Sequence, residues 1–191
     1  DSEDLTLVFI EDILNDAHRN LSLQATYEVT LNLVIPKGMA PFVVNQEKLH
    51  HALVNLGVNA LEATEEVEDP IVELGCKAED GGVTFWVTDN GRGMSSEDLQ
   101  RVREVFYTTK PEGTGVGLFS VEMCAKTHGG HLKIESELGK GSTFTLFIAT
   151  EAISHEPTEP FIRPMLATSS VVRVLLVEDN EPLGAMLKKG L

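Results

Sequence analysis

Glycine punctuation constrains this chain more than any other feature. Asp89-Asn-Gly-Arg-Gly-Met94, Gly113-Thr-Gly-Val-Gly-Leu118 and Gly139-Lys-Gly-Ser142 each fall where a strand or helix pattern stops or starts. Upstream of all three, Asn55-Leu-Gly-Val-Asn59-Ala lies inside the longest helical pattern. Glycine permits positive φ and lets backbone or ligand approach closely. The glycines therefore set where elements end and where backbone amides stay uncovered.

Periodicity fills in the elements between them. Phe9, Ile13, Leu14, Ala17 and Leu21 recur at three- and four-residue steps, which predicts a helix from about Leu7 to Asn20. Tyr27 to Ile35 alternates and reads as a strand, and Phe42-Val-Val as a short one. A long helix is predicted from about Gln46 to Thr64. Two strands follow, Ile71 to Lys77 and Val83 to Thr88, with Gly81-Gly82 suited to a hairpin. Ser95 or Ser96 caps a short helix that runs to Arg103, and a further helix runs from Gly117 to Thr127 before His128-Gly-Gly. Leu132 to Ser136 and Thr143 to Ile148 form a last strand pair. From Thr150 to Ser170, with Pro157, Pro160 and Pro164, no period is evident and the stretch reads as a linker. Val171 to Val177 is apolar except for Arg173 and reads as a strand, with a helix after Asn180.

Composition narrows the function. With 15 basic and 30 acidic residues among 191, the net charge is −15. Such a chain repels nucleic acid and anionic membrane surfaces. It can still take a nucleotide through magnesium and backbone amides. No apolar run approaches the roughly 18 residues of a membrane span, no signal peptide is visible, and the opening Asp1-Ser-Glu-Asp reads as an excised fragment. Cys76 and Cys124 follow no metal or redox spacing and read as idle thiols in a reducing cytosol.

On the long helix His51, Asn55 and Asn59 are spaced four apart and share a face, apart from the Leu49, Leu53, Leu56 and Ala60 stripe. Two asparagines there either cap neighbouring backbone or offer a side-chain oxygen to a hard cation such as magnesium. Asp89 ends a strand, ahead of Gly91 and Gly93, which permit positive-φ turns. A partly buried carboxylate needs donors; adenine's exocyclic amine is one, whereas guanine presents a carbonyl. An Asp-Asn-Gly turn without a ligand is the alternative. The glycines from Gly113 to Gly117 leave amides open at a helix N-terminus, where the dipole favours anions, although a plain flexible loop has the same composition.

Taken together and in this order, the four segments resemble the ATP-binding domain of sensor histidine kinases, the Bergerat or GHKL fold. The resemblance covers about Leu5 to Ala149. It implies a two-layer α/β sandwich, with a mixed, mostly antiparallel sheet of about five strands covered on one face by three helices. It makes Asn59 the ligand of magnesium, Asn55 a phosphate or metal-water contact, and Asp89 the adenine reader. Gly91, Gly93 and Met94 form the first glycine box. Gly113, Thr114, Gly115, Val116, Gly117 and Leu118 form the second, and Ser142 supports adenine through water. Phe106-Tyr-Thr-Thr-Lys-Pro resembles the segment opening the family's ATP lid, expected to be the domain's most mobile part, with Lys110 meeting the triphosphate. Arg103 departs from the family, where many members carry a phenylalanine.

Val174-Leu-Leu-Val-Glu-Asp-Asn180 resembles the start of a response-regulator receiver domain, in which Glu178 and Asp179 would help hold magnesium. The expected organisation is an ATP-binding domain over 1–150, a linker over 151–170 and a receiver fragment over 171–191, from a cytoplasmic part of a hybrid kinase. The resemblance implies ATP and Mg2+ as cofactors. Its partners would be a histidine-bearing dimerisation hairpin, in a homodimer, and a response regulator or receiver; nucleic acid and direct membrane contact are not expected. Among His18, His50, His51, His128, His131 and His155, none is placed as the phospho-acceptor. The alternatives are a GHKL-type ATPase or a nucleotide-binding module without transfer activity. ATPases of that kind place a glutamate base one turn before the magnesium asparagine, where this chain has Asn55.

Overall fold

The computed structural model describes residues 5–104, 106–108, 115–150 and 172–174, the last three as backbone alone. The strands are β1 (Thr6–Val8), β2 (Val29–Val34), β3 (Phe42–Val44), β4 (Ile71–Glu79), β5 (Gly82–Asp89), β6 (His131–Glu137), β7 (Gly141–Ala149) and β8 (Val172–Val174). The helices are α1 (Ile10–Gln24), α2 (Gln46–Thr64), α3 (Ser96–Arg101) and α4 (Gly117–Thr127). The main sheet runs β6-β7-β5-β4-β2-β8, with only β2 and β4 parallel. It is the expected mixed sheet, widened to six described strands because β8 adds antiparallel to the edge strand β2. The predicted strand over 171–177 is thus described at 172–174, while Glu178, Asp179 and the linker lie outside the described residues.

One expectation fails at the N-terminus. The helix begins at Ile10, not Leu7, because Thr6, Leu7 and Val8 form β1 opposite Val44, Val43 and Phe42 of β3. Exposed Leu7 and buried Val8 alternate as in a strand, and a three-residue apolar run cannot tell strand from helix by period alone.

Alternation puts one sheet face inward. Val72, Leu74 and Cys76 of β4, Val83, Phe85 and Val87 of β5, and Phe144, Leu146 and Ile148 of β7 are all buried. They meet Ile13, Leu14 and Leu21 of α1, Leu49, Leu53 and Leu56 of α2, and Val121 and Cys124 of α4. Burying one such leucine contributes about 1.5–3 kcal/mol. Gly57 lets α1 and α2 touch: a Cβ there would lie 2.2 Å from Leu21 Cδ1.

Two polar clamps orient α2. At its start, the Asn45 side chain accepts from the Lys48 amide at 2.9 Å, while the Asn45 amide donates to His128 Nε2 at 3.0 Å. An accepting Nε2 leaves the proton on Nδ1, which donates to Cys124 O at 2.7 Å. His128 therefore joins the end of α4 to the start of α2. At the other end of α2, the Tyr27 hydroxyl donates to Leu61 O at 2.5 Å and lies 2.7 Å from Thr64 Oγ1.

Candidate functional site

A cavity of about 530 Å³ opens between the C-terminal half of α2, the ends of β5 and β7, and the α3–α4 side. Its lining includes Asn59, Asp89, Gly93, Met94, Gly115, Gly117, Leu118 and Ser142. These residues come from four of the expected segments, far apart in sequence. A second hollow of about 450 Å³, lined by Thr6, Asp16 and His50 among others, lies elsewhere and holds none of the expected site residues.

Asp89 is the last residue of β5, paired across the sheet with Ser142 of β7 and Val72 of β4. It is only 5% exposed. Its Oδ1 accepts from the Gly91 amide at 2.9 Å. Burial holds its carboxyl above the ordinary carboxylate range, partly opposed by backbone hydrogen bonds from Gly91 and Ser142. A buried carboxylate has about four acceptor sites, so with two backbone donors it remains an acceptor for a donor from the cavity.

The turn after Asp89 is fixed by backbone contacts. Asn90 accepts from the Ile71 amide and donates to Asp69 O, both at 2.8 Å. The Arg92 amide donates to Ala63 O on α2 at 2.9 Å, and the Gly139 amide to Arg92 O at 2.7 Å. Gly93 has φ +62°, as expected. Gly91 is needed for another reason than a positive φ: a Cβ there would lie 2.4 Å from Ala63 O. The second glycine of the Gly139–Ser142 turn has the same kind of role, since a Cβ on Gly141 would lie 2.0 Å from Asp89 O. The Met94 amide donates to Ser136 Oγ at 2.9 Å, and Ser136 Oγ lies 3.0 Å from Ser142 Oγ. The first and third glycine segments therefore form one interlocked wall.

The opposite wall is held by side chains. Ser95 caps α3, accepting from the Asp98 amide at 3.1 Å and donating to Asp98 Oδ2 at 2.6 Å. The Tyr107 hydroxyl donates to Asp98 Oδ1 at 2.5 Å, and the Arg101 guanidinium sits 4.4 Å over its ring. Hydrogen bonds from Ser95, then Tyr107, hold the Asp98 carboxyl below its usual range. Arg103, the departure from the family pattern, donates to Leu132 O at 2.9 Å and to Glu122 at 3.3 Å, so a charged side chain bridges α4 and β6. The Phe106 amide donates to Gly115 O at 3.2 Å, drawing together the two ends of the intervening segment; both residues have positive φ. Lys110, Gly113 and Thr114 lie outside the described residues. Val116 at the N-cap of α4 makes no side-chain cap, and the helix start reaches the cavity through Gly117 and Leu118.

Asn55, Gly91 and Val116 are not among the residues lining the cavity, and Val116 is more than a third exposed. Asn55 Cγ lies 4.0 Å from where a Gly117 Cβ would be, beside the start of α4. Sequence reasoning missed Glu62, Ala63, Arg92, Asp98, Val102, Tyr107, Thr108, Leu138 and Phe144, which also line the cavity. For Phe144 the inward alternation with Ser142 was a signal, and for Glu62 the helical step from Asn59 was another. Leu138, in a turn, carried none.

A family model described as histidine kinase-, DNA gyrase B- and HSP90-like ATPase matches residues 44–152. The chain is 29% identical over 154 residues to the sensor histidine kinase ZraS of Escherichia coli (strain K12), covering 80% of this chain and 33% of that protein. It is 30% identical over 160 residues to the circadian input-output histidine kinase CikA of Synechococcus elongatus, covering 81% of this chain and 21% of that protein. At most a third of either relative's length is therefore spanned. Among solved structures, full-length ShkA in complex with AMPPNP superposes with a TM-score of 0.69 at 28% identity, covering 78% of this chain and 32% of that one. The catalytic domain of the histidine kinase ThkA, at 20% identity and a TM-score of 0.64, covers 76% of this chain and 95% of its own, which speaks for the fold.

Proposed function

Because the chain belongs to the histidine kinase-, DNA gyrase B- and HSP90-like ATPase family, we propose that it is the ATP-binding catalytic domain of a sensor histidine kinase. The γ-phosphoryl group of ATP passes to a histidine on a helical hairpin outside these residues: a phosphorus–nitrogen bond forms, the bond to the β-phosphate oxygen breaks, and ADP leaves. One observation carries the reading. Asn59, Asp89, Gly93, Gly115, Gly117 and Ser142, from separate elements, converge on one cavity.

The cavity has a base end and a phosphate end. Asp89 accepts from the exocyclic amine of adenine, and Ser142 stands beside it. Met94 and Leu118 supply apolar walls. The start of α4, where Val116 makes no side-chain cap, receives the phosphates with Gly115, Gly117 and nearby Asn55 through amide donors and the helix dipole. Lys110 adds a point charge. The donor set fits a hard cation, since Asn59, whose side chain carries an amide oxygen, lines the cavity. Magnesium, when bound with the nucleotide, neutralises phosphate charge, and Asn59 would hold it. The protein's contribution is positioning and electrostatics, as in phosphoryl transfer generally.

The parent is read as a hybrid kinase acting in the cytoplasm as a homodimer, with a response regulator or receiver as partner. The end of β7 at Ala149 supports a domain boundary near 150; the linker over 151–170 and the receiver fragment over 171–191 rest on the resemblance of Val174 to Asn180 alone, and β8 adds to the main sheet beside β2. Glu178 and Asp179 would hold that fragment's magnesium. No helix among the described residues is long and apolar enough to cross a membrane.

The test is a nucleotide titration followed by transfer to a separately supplied hairpin protein. ATP binding with a preference over GTP, an unlabelled chain, and an acid-labile, base-stable label on the hairpin are expected. Steady hydrolysis to free phosphate without a labelled partner would favour the ATPase reading, which Asn55 opposes because an amide cannot take a proton from water.

A further inference from the structure

The two sides of β2 are used differently. The Thr30 amide donates to Pro70 O at 2.9 Å, toward β4. Amides alternate along a strand, so those of Val29 and Leu31 point the other way. On that side β8 runs antiparallel, with Val29 opposite Val174, Thr30 opposite Arg173 and Leu31 opposite Val172. The two outer pairs are therefore the hydrogen-bonded ones. The backbone amides at 172 and 174 point at β2, and the amide at 173 points away. Leu31 O, on the same edge, also lies 3.3 Å from His18 Nε2 of α1; a carbonyl with two lone pairs can serve both.

The sequence suits the place. Val29 and Leu31 are buried, and register sets positions 172 and 174 opposite them, with position 173 opposite Thr30 on the other face. Val172-Arg173-Val174 thus has apolar residues at the two inward positions and a charge at the outward one. Without β8, the edge of β2 would offer the amides of Val29 and Leu31 as a template for any extended chain. Reach is no obstacle. Between β7, which ends at Ala149, and β8 lie four strand spacings of the sheet, roughly 19 Å in all. That is far within the span of the residues from 150 to 171. A tether of that length holds the segment at an effective concentration on the order of a millimolar.

We propose that the β2 edge is a strand-addition site whose occupant is the chain's own segment 172–174, docked in cis. The docking makes no use of the nucleotide reading. It anchors the residues after Val174 beside α1, at the sheet edge opposite β6, where α3 and α4 pack. It also competes with the receiver reading for the same residues. The first strand of a receiver sheet, ordered 2-1-3-4-5, is flanked on both sides, so a segment docked on β2 is withheld from such a sheet.

The experiment reads amide exchange residue by residue in the full chain, as wild type and as two variants. Val29 and Leu31 should exchange slowly in wild type. The double variant Val172→Pro/Val174→Pro removes both ladder donors, and protection at Val29 and Leu31 should fall by about tenfold or more. Arg173→Pro removes only an amide that points away, where an edge strand tolerates proline, and should leave that protection within about twofold. Val87, on the central strand β5, reports on the rest of the fold and should be equally protected in all three. About a hundredfold dilution of wild type should change nothing. Fast exchange at Val29 and Leu31 in wild type overturns the docking and leaves the segment to a receiver sheet. No loss in the double variant, or an equal loss in Arg173→Pro, also overturns it. Protection that vanishes on dilution would mean a strand exchanged between two copies and would overturn docking in cis. A chain that shows the expected pattern yet binds no ATP would sink the nucleotide reading and leave the docking standing.

Discussion

The two walls of the cavity are built by different means. The wall around Asp89 is backbone: β5 and β7 fix Asp89 opposite Ser142, the Arg92 and Gly139 amides tie the turns together, and Gly91 and Gly141 admit carbonyls where a Cβ would collide. The wall around Tyr107 relies more on side chains: beside the backbone bonds of the Phe106 and Tyr107 amides it has one hydrogen bond to Asp98, an arginine over a ring, and Arg103 reaching Leu132 O and Glu122. Sheet register fixes a carboxylate through many backbone bonds, whereas a few half-buried side-chain contacts hold a segment less firmly. On the proposed reading, the end assigned to the base is thus the more firmly built and the end assigned to the phosphates the more adjustable. That division suits a site that must read one base yet let a reacting phosphate and its acceptor come and go.

The largest expected effect lies where the walls meet. Asn59→Ala should lower transfer to a supplied hairpin by roughly a hundredfold or more, with circular dichroism and melting close to wild type because the core stripe of α2 is separate. Normal transfer would sink the assignment, and an unfolded variant would make Asn59 structural.

Next comes the backbone wall. Gly141→Ala should destabilise the domain by about 2–4 kcal/mol, because its φ of +108° and its contact with Asp89 O both oppose a side chain. Gly139 has open space around it, so Gly139→Ala should meet only the conformational part of that cost. Denaturant melts of the pair measure the difference, and equal losses would mean that strain, not close approach, governs this turn.

A smaller effect is expected at Asp89. Asp89→Asn should cost about 1.5–3 kcal/mol of ATP affinity and erase the preference over GTP. Burial raises the Asp89 pKa, so without nucleotide its protonated form stabilises the fold, and that contribution is lost as pH rises through the raised value. With nucleotide the sign reverses. The carboxylate accepts from adenine, so affinity should fall as pH drops through that value, at a higher pH than for an exposed aspartate. Calorimetric titrations across mildly acidic pH should show this slope in wild type and not in Asp89→Asn.

The smallest effect belongs to the side-chain wall. Tyr107→Phe should change ATP affinity by about twofold or less, with no shift in melting. Amide exchange at Tyr107 and Thr108 should slow when an ATP analogue is added, and less so in the variant. A loss as large as that of Asp89→Asn would erase the contrast between the walls.

Much of this was legible locally. The helix expected from about Gln46 to Thr64 is found over Gln46–Thr64, because its apolar stripe acts within a few turns. The strand from Val83 toward Asp89 was legible because alternation is local, and Gly93 because a positive-φ turn needs a glycine. The true reason for Gly91 was not legible: nothing near it in sequence shows that Ala63 O lies 2.4 Å from its missing Cβ. Nor was β1, whose pairing with β3 depends on residues more than thirty positions away.

The sequence by itself determined the order of elements apart from β1, the inward and outward faces, and which polar groups were too costly to bury without partners, since all three follow from side-chain chemistry at short range. Only the tertiary structure decided that β2 and β4 run parallel, that His128 and Tyr27 clamp the two ends of α2, and that Glu62 joins Asn59, Asp89 and Ser142 around one cavity. Those outcomes depend on how the helices pack across the sheet, where the energy lies in long-range burial and in hydrogen bonds whose partners the local pattern does not name.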